Sequence, residues 1–234
     1  MPLMRVLFAD DDPEIREMIK LVLQKAGMQV YLAENGQQAL DLWRRRPVEV
    51  VVLDIMMPLL DGLSVCRRIR RASSVPVILL SAMGQEQEVV NGLEAGADDY
   101  IVKPFRPKEL VARLRAAAQR AARHSQEAEA ELAFGDLRLD CGGQWVINQG
   151  RPVQLTPLEF RLLQYLMQNI GVVFSKEDLF QNVWGYVQPS GEMNLIEAAI
   201  RRLRKKIETD PNQPRYIQTV WGAGYRFGDK MNLN

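Results

Sequence analysis

Val48-Glu49-Val50-Val51-Val52-Leu53-Asp54 is the stretch whose reading decides the fold of the first half of the chain. Val48–Leu53 is apolar and β-branched almost throughout, as a strand covered on both faces must be. The run then stops on a carboxylate. Outward in both directions the same pattern repeats. Arg5–Ala9 (RVLFA) is a second apolar run, followed by acidic residues and a helix pattern over Pro13–Ala26, with Gly27 just past its end. Gln29–Ala33 predicts a strand and Gly36–Arg45 a helix. Beyond the central run come a helix over Gly62–Ala72, a strand over Pro76–Leu80, a helix over Gln85–Ala95, a strand over Tyr100–Val102 and a helix over Pro107–Ala122. Five strands, each followed by a helix, predict a doubly wound α/β unit around a parallel sheet.

The pattern breaks at residues 123–131 (RHSQEAEAE), which carry no apolar face and read as a linker between a unit at 1–122 and one at 132–234. His124, the only histidine, falls in it and reads as a solvated linker residue. Short strands follow at Leu132–Phe134, Leu137–Leu139, Trp145–Ile147 and Val153–Leu155, broken by Gly135, Gly142-Gly143 and Gly150, which suits an antiparallel sheet. Three helix patterns come next, over Pro157–Gln168, Lys176–Trp184 and Asn194–Glu208. Thr156 with Glu159 forms a capping box, and Ser175 with Asp178 nearly repeats it. The last element is a hairpin, Tyr216–Val220 and Tyr225–Phe227, turning at Gly222-Ala223-Gly224. Three helices closed by a β-hairpin describe a winged helix.

Composition narrows the function. The 234 residues carry 30 Lys plus Arg against 29 Asp plus Glu, and neither half is a polycation, so binding to nucleic acid must rest on a local patch. The two cysteines, Cys66 and Cys141, stand far apart without a second ligand type nearby, which leaves no cysteine metal site or disulfide framework. No apolar run approaches the length of a membrane span, so a cytoplasmic protein is expected.

Functional residues of open parallel sheets gather at the carboxyl edge. Asp10 and Asp11 follow the first strand and Asp54 the third, so three carboxylates are expected to meet in one crevice. Crowded like charges require a cation or raised pKa values, and oxygen-only ligands suit Mg²⁺. A carboxylate can also act as a nucleophile toward a phosphoryl donor. Ser81 and Lys103 end the fourth and fifth strands and bring a hydroxyl and an ammonium to the same edge. Asp12 and Asp61 read instead as helix caps. On the last helix Ile196, Ile200, Leu203 and Ile207 form a core stripe; Asn194, Ala198, Arg201 and Lys205 lie opposite, flanked by Arg202, Arg204 and Lys206. Such a helix fits a major-groove reader, and it equally fits a plain solvated face.

The stretches LFADDDPEIREMI, VVVLDIMMPLLDG, VPVILLSA, GLEAGADDYIVKPF and PKELVARLRA resemble the receiver domain of bacterial two-component response regulators over residues 4–120. The resemblance implies a flavodoxin-like fold with Asp54 as phosphoacceptor, and Mg²⁺ held by Asp10, Asp11, Asp54 and the backbone carbonyl of Met56. It implies Lys103 as phosphoryl contact, Ser81 and Tyr100 as a switch pair, and a cis Lys103-Pro104 peptide. LTPLEFRLLQYL, SKEDLFQNVWG, IRRLRKKIE and IQTVWGAGYRF resemble the winged helix-turn-helix DNA-binding domain of the OmpR/PhoB subfamily, preceded by its antiparallel sheet. That implies Leu195–Lys206 in the major groove and the wing near Trp221 against backbone or minor groove, with Trp184, Thr219 and Tyr225 as candidate phosphate contacts. Trp184 and Tyr225 fit a core position equally well.

Asn194, Leu195, Ala199 and Trp221 depart from residues common in that subfamily, so base preference does not transfer and a shallower salt dependence is expected. The resemblance also implies a receiver homodimer formed on phosphorylation, with crossed ion pairs among Asp98, Asp99, Glu109, Arg113 and Arg115. Val89 stands where a basic partner for Glu109 is expected. The implied partners are a sensor histidine kinase, double-stranded DNA with repeated half-sites, and RNA polymerase. Three rival readings stay open at this point: a constitutive DNA binder with an inactive receiver, a Mg²⁺-dependent phosphatase, and a nonspecific architectural protein.

Overall fold

The computed structural model describes residues 3–82, 92, 94–124, 131–185 and 194–228. The chain divides into two compact units, Met1–Ala121 and Ala122–Asn234.

The first unit is a five-stranded sheet of β1 (Met4–Ala9), β2 (Met28–Ala33), β3 (Val50–Asp54), β4 (Val77–Ala82) and β5 (Asp99–Lys103) in the order β2-β1-β3-β4-β5. All four pairings are parallel. Every residue of β3 is buried, which is why its sequence shows no alternation. Val6, Phe8, Val50, Val52, Ile78, Leu80 and Ile101 pack on one face with Ile19 and Leu23 of α1 (Pro13–Lys25) and Leu110 and Leu114 of α4 (Pro107–His124). The other face carries α2 (Gly36–Arg45) and α3 (Gly62–Arg70). Asp12 caps α1 by accepting from the Glu14 and Ile15 amides, and Asp61 caps α3 from the Ser64 amide. The predicted helix over Gln85–Ala95 falls mostly outside the described residues.

In the second unit, β6 (Glu131–Phe134), β7 (Leu137–Asp140), β8 (Trp145–Asn148) and β9 (Arg151–Val153) form an antiparallel sheet in sequence order. The last strand lies two residues earlier than the sequence suggested. Register explains the shift: Val146 pairs with Val153 and Asn148 with Arg151, so the Gln149-Gly150 turn sets where β9 begins. α5 (Pro157–Gln168) carries the expected capping box. The next helix pattern resolves into a short α6 (Lys176–Leu179), also with a capping box, that widens into a π-helical turn over Phe180–Trp184. α7 (Asn194–Ile207) precedes the hairpin of β11 (Ile217–Val220) and β12 (Gly224–Phe227). A two-residue strand, β10 (Val173–Phe174), pairs with β12 and completes a second sheet that sequence periodicity did not reveal. Among the described residues no helix is long and apolar enough to cross a membrane.

Candidate functional site

The strand order reverses direction at β1, so the carboxyl ends of β1 and β3 open a crevice between them. Asp10, directly after β1, is buried, as is Asp54, the last residue of β3. Asp11 is exposed. One carboxylate oxygen from each of the three lies within 4.8 Å of the others. Lys103, the last residue of β5, reaches the pair: its Nζ is 2.6 Å from Asp10 Oδ2 and 2.8 Å from Asp54 Oδ2. The Asp54 carboxyl is pushed above the usual carboxylate range, first by burial and further by the Asp10 charge, against the opposing pull of Lys103. For Lys103 burial acts downward, yet the hydrogen bonds and charges of Asp10 and Asp54 outweigh it and raise the ammonium above its ordinary value. The cluster is an acidic crevice able to hold a divalent cation, with one fixed ammonium beside it.

The other residues expected here sit on the loop after β3 and on strands β4 and β5. The Met56 amide donates to Asp54 Oδ1 at 3.4 Å, which fixes the backbone just past the strand. Ser81 is buried, its Oγ donating to the Ala82 carbonyl at 3.3 Å. Tyr100 is buried, and the Lys103-Pro104 peptide is cis. Arg16 escaped notice in the sequence; its Nη1 donates to the Asp10 carbonyl at 2.8 Å and ties α1 to the crevice. A surface arginine on an amphipathic helix gave no signal of that bond.

The residues expected to pair across a dimer are also engaged within the chain. Asp98, Asp99 and Arg113 are buried and engaged within the chain. Asp98 pairs with Arg70. Arg113 pairs with Asp99 at 3.2 Å and with Glu109 at 2.6 Å. A buried charge without a partner is strongly unfavourable, so these residues find partners inside the monomer. Arg115 is exposed and donates to the Ala26 carbonyl at 3.1 Å. Val89 lies outside the described residues.

In the second unit Arg201 and Lys205 are exposed on α7, as both a groove reader and a plain solvated face require. Five other candidates, Leu195, Ala198, Trp184, Arg202 and Tyr225, are buried. Leu195 and Ala198 are buried along with Ile196, Ala199 and Ile200, so the first turns of α7 are enclosed on more than one side and the alanines serve packing. Trp184 is fully buried and stacks on Phe180 with ring centroids 5.2 Å apart. Arg202 is buried and meets Glu159 Oε1 at 2.8 Å, while Lys206 meets Glu159 Oε2 at 2.6 Å. Tyr225 is buried too, with the Arg204 guanidinium 5.8 Å from its ring centroid. Of Asn194 only the backbone is described, at the start of α7.

Arg204 is a pin between helix and wing: Nε donates to the Ile217 carbonyl and Nη2 to Thr219 Oγ1, both at 2.9 Å. Glu208 anchors the base of the wing by accepting the amides of Arg215, Tyr216 and Ile217. At the tip, beside the Gly222 turn, Trp221 is 93% exposed.

Residues 6–115 match the response regulator receiver domain, and residues 150–227 match the C-terminal domain of transcriptional regulatory proteins. The DNA-binding response regulator MtrA of Mycolicibacterium smegmatis is 42% identical over 224 residues, covering 96% of both chains. The solved structure of DrrB, an OmpR/PhoB homologue of Thermotoga maritima, is 35% identical with a TM-score of 0.50, covering 97% of this chain and 100% of that one. This chain is a response regulator of the OmpR/PhoB type. A solved structure of a RitR mutant is 27% identical to this regulator, with a TM-score of 0.75, and covers 97% of it. The regulator thus joins a receiver to a transcriptional regulatory DNA-binding domain, and the crevice of Asp10, Asp11, Asp54 and Lys103 belongs to the receiver.

Proposed function

We propose that this regulator is a phosphorylation-switched, sequence-specific transcription factor in which Asp54 accepts a phosphoryl group. The observation that carries the proposal is the Lys103 ammonium held between Asp10 and Asp54 at the edge of a parallel sheet. A carboxylate oxygen of Asp54 bonds to phosphorus as the P–N bond of a kinase phosphohistidine, or the P–O bond of a small donor, breaks. The electron pair leaves with the donor, on the histidine nitrogen of the kinase, which takes a proton from solvent as needed, or on the small donor's oxygen, which departs as a carboxylate when the donor is an acyl phosphate. Lys103 is placed to pair with the phosphoryl oxygens and to keep Asp10 oriented.

The donor set fits Mg²⁺: hard oxygen ligands alone, with the exposed Asp11 leaving room for water and Lys103 offsetting only part of the acidic charge. Asp10, Asp11, Asp54 and the Met56 carbonyl would hold the ion, which would offset negative charge between acceptor and phosphoryl oxygens. Ser81 and Tyr100 are proposed to rearrange toward the phosphoryl group and bias the receiver toward homodimerisation.

The receiver is taken to span 1–122, a linker 123–131 and the DNA-binding domain 132–234. Arg201, Lys205 and Asn194 would face base edges, and Trp221 the minor groove or backbone of repeated half-sites. Leu195, Ala198, Arg202 and Trp184 support the fold, while Arg204, Thr219 and Tyr225 hold the wing to α7. A cytoplasmic sensor histidine kinase domain and RNA polymerase are the proposed protein partners, and the regulator itself is cytoplasmic. Turnover is not part of the proposal: the position two past Asp54, where a phosphatase of this chemistry needs a carboxylate, holds Met56.

The test is intact-mass analysis after incubation with acetyl phosphate and Mg²⁺. One phosphoryl increment is expected on the wild type and none on Asp54→Asn. Equal labelling of the two, or none of the wild type, would overturn the assignment.

A further inference from the structure

The loop between β3 and α3, Ile55–Asp61, is pinned at both ends. The Gly62 amide donates to the Ile55 carbonyl at 3.0 Å, and a Cβ on Gly62 would stand 2.1 Å from the Asp54 carbonyl oxygen. α3 therefore starts directly against the acceptor strand, and only glycine permits the approach. Within the loop the Leu60 amide donates to the Pro58 carbonyl at 2.8 Å, enclosing Leu59 with φ of 67°. A hydrogen bond from residue i+2 back to i around a left-handed central residue is a γ-turn of the rare, strained kind. Glycine, or failing that asparagine, is the residue that suits such a position. This chain places leucine there, and the residue is 86% exposed. Met56, in the same loop, is 69% exposed.

The residue thus runs against two local preferences at once, backbone conformation and burial. Non-glycine strain of this kind persists where surrounding structure over-determines it, and such sites cluster at functional positions. The place in the fold identifies the occupant. Asp54 is buried, so a phosphoryl donor must come down onto the crevice rim; a small donor covers little of that rim, whereas a protein donor must sit on it. Met56 and Leu59 belong to the loop that leaves the acceptor directly. Building on the phosphoacceptor reading, we infer that Leu59 is a docking contact for the phosphohistidine-bearing domain of the sensor kinase, held outward by its turn to enter an apolar depression beside the phosphohistidine. It acts on encounter with the kinase and not on the chemistry at Asp54.

Two donors separate the roles. Full-length wild type, Leu59→Asn, Leu59→Gly and Leu59→Met would each be phosphorylated by acetyl phosphate, and separately by a purified, autophosphorylated histidine kinase that labels the wild type. Losing the burial of one aliphatic side chain is expected to lower kcat/KM for kinase transfer to Leu59→Asn and Leu59→Gly by roughly tenfold. Leu59→Met should stay within about twofold, as a similar apolar volume requires. Labelling by acetyl phosphate should be unchanged throughout. The thermal unfolding midpoints of the Asn and Gly variants should equal or exceed the wild-type value, because the turn is relieved. Equal loss with both donors would assign Leu59 to the acceptor crevice and overturn the docking role, as would unchanged kinase transfer in Leu59→Asn and Leu59→Gly. Failure of the phosphoacceptor reading looks different: the wild type itself would take no label from either donor.

Discussion

Asp54 is a carboxylate in a place that disfavours its charge. Burial and the Asp10 charge raise its pKa, and Lys103, helped by the Met56 amide, opposes them. The sign follows from linkage: a group whose folded pKa is raised stabilises the fold below its unfolded pKa and loses that contribution as pH rises through the folded value. At neutral pH the ionised side chain therefore works against folding. Asp54→Asn should abolish phosphorylation yet, in the presence of a chelator, raise receiver stability by about 1 kcal/mol, a shift of several degrees. Lys103→Met should do the reverse, leaving Asp10 and Asp54 without their shared counter-charge and costing about 2–3 kcal/mol. Added Mg²⁺ should recover much of that loss. Thermal melts of the two variants with chelator and with Mg²⁺ check this; a destabilised Asn variant, or a Lys103→Met melt indifferent to Mg²⁺, would contradict the picture of a crevice strained by its own charge.

The elements that place these residues differ in how plainly the sequence declares them. Cap residues are the clearest case, because Asp61 caps α3 through a local hydrogen bond that spacing alone predicts. Burial is the largest single influence on Asp61 and acts upward, but the Ser64 hydroxyl and amide, with the Arg67 charge, together hold its carboxyl below the usual range. A lowered pKa contributes stability above the unfolded value that is lost as pH falls through the folded one. Asp61→Ala should thus cost about 1 kcal/mol at pH 7. That difference should hold down to about pH 4, near the ordinary carboxylate value, and shrink in more acid solution. Chemical denaturation of both proteins from pH 7 to pH 3 measures it; a difference that grows in acid would mean the cap acts otherwise. Strand β3 was equally legible, since Val50–Leu53 had no face to spare for solvent. Helix α7 was legible only in part. A period of 100° per residue marks one stripe, but Leu195 and Ala198 are buried by neighbours on other sides, and an alanine reads the same in core or solvent. Spacing sets Arg201 opposite that stripe and Arg202 on its flank, but it does not show that the second is consumed by buried Glu159 from a helix more than thirty residues earlier. Their alanine variants should therefore separate. Arg202→Ala leaves buried Glu159 with Lys206 as its remaining counter-charge and should cost about 2 kcal/mol of stability. Arg201→Ala should leave stability within about 0.5 kcal/mol while weakening DNA binding by about 1–3 kcal/mol. Melting curves and anisotropy titrations on one DNA site compare them, and the reading fails if the Arg202 variant melts normally. β10 and the Leu59 turn lie beyond such reasoning, because two residues show no period and a γ-turn closes on a bond its composition argues against.

For the whole molecule the question is how a phosphoryl group on one unit alters DNA binding by another. The charges expected to join two receivers are largely spent inside one: Asp98 on Arg70, and Arg113 on Asp99 and Glu109. A dimer that borrowed them would exchange partners, not gain new pairs, and each remaining exposed pair adds only about 0–1 kcal/mol. The receiver dimer should accordingly be weak in solution, even when phosphorylated. Weak association still suffices on DNA. Once one wing-and-helix pair is bound, a linked partner faces the neighbouring half-site at an effective concentration of order millimolar, and avidity rises about 10²-fold or more with no new base contact. Phosphorylation should therefore tighten binding to DNA with two half-sites by about 10²-fold while changing affinity for a single half-site less than twofold. The two titrations must share one salt concentration, because phosphate contacts make every affinity salt-dependent. Altering the spacing between half-sites should erode the gain on the longer DNA and leave single-site affinity where it was. If the single half-site gains as much as the pair, phosphorylation acts directly on the DNA-binding unit and dimerisation is not the link between Asp54 and the operator.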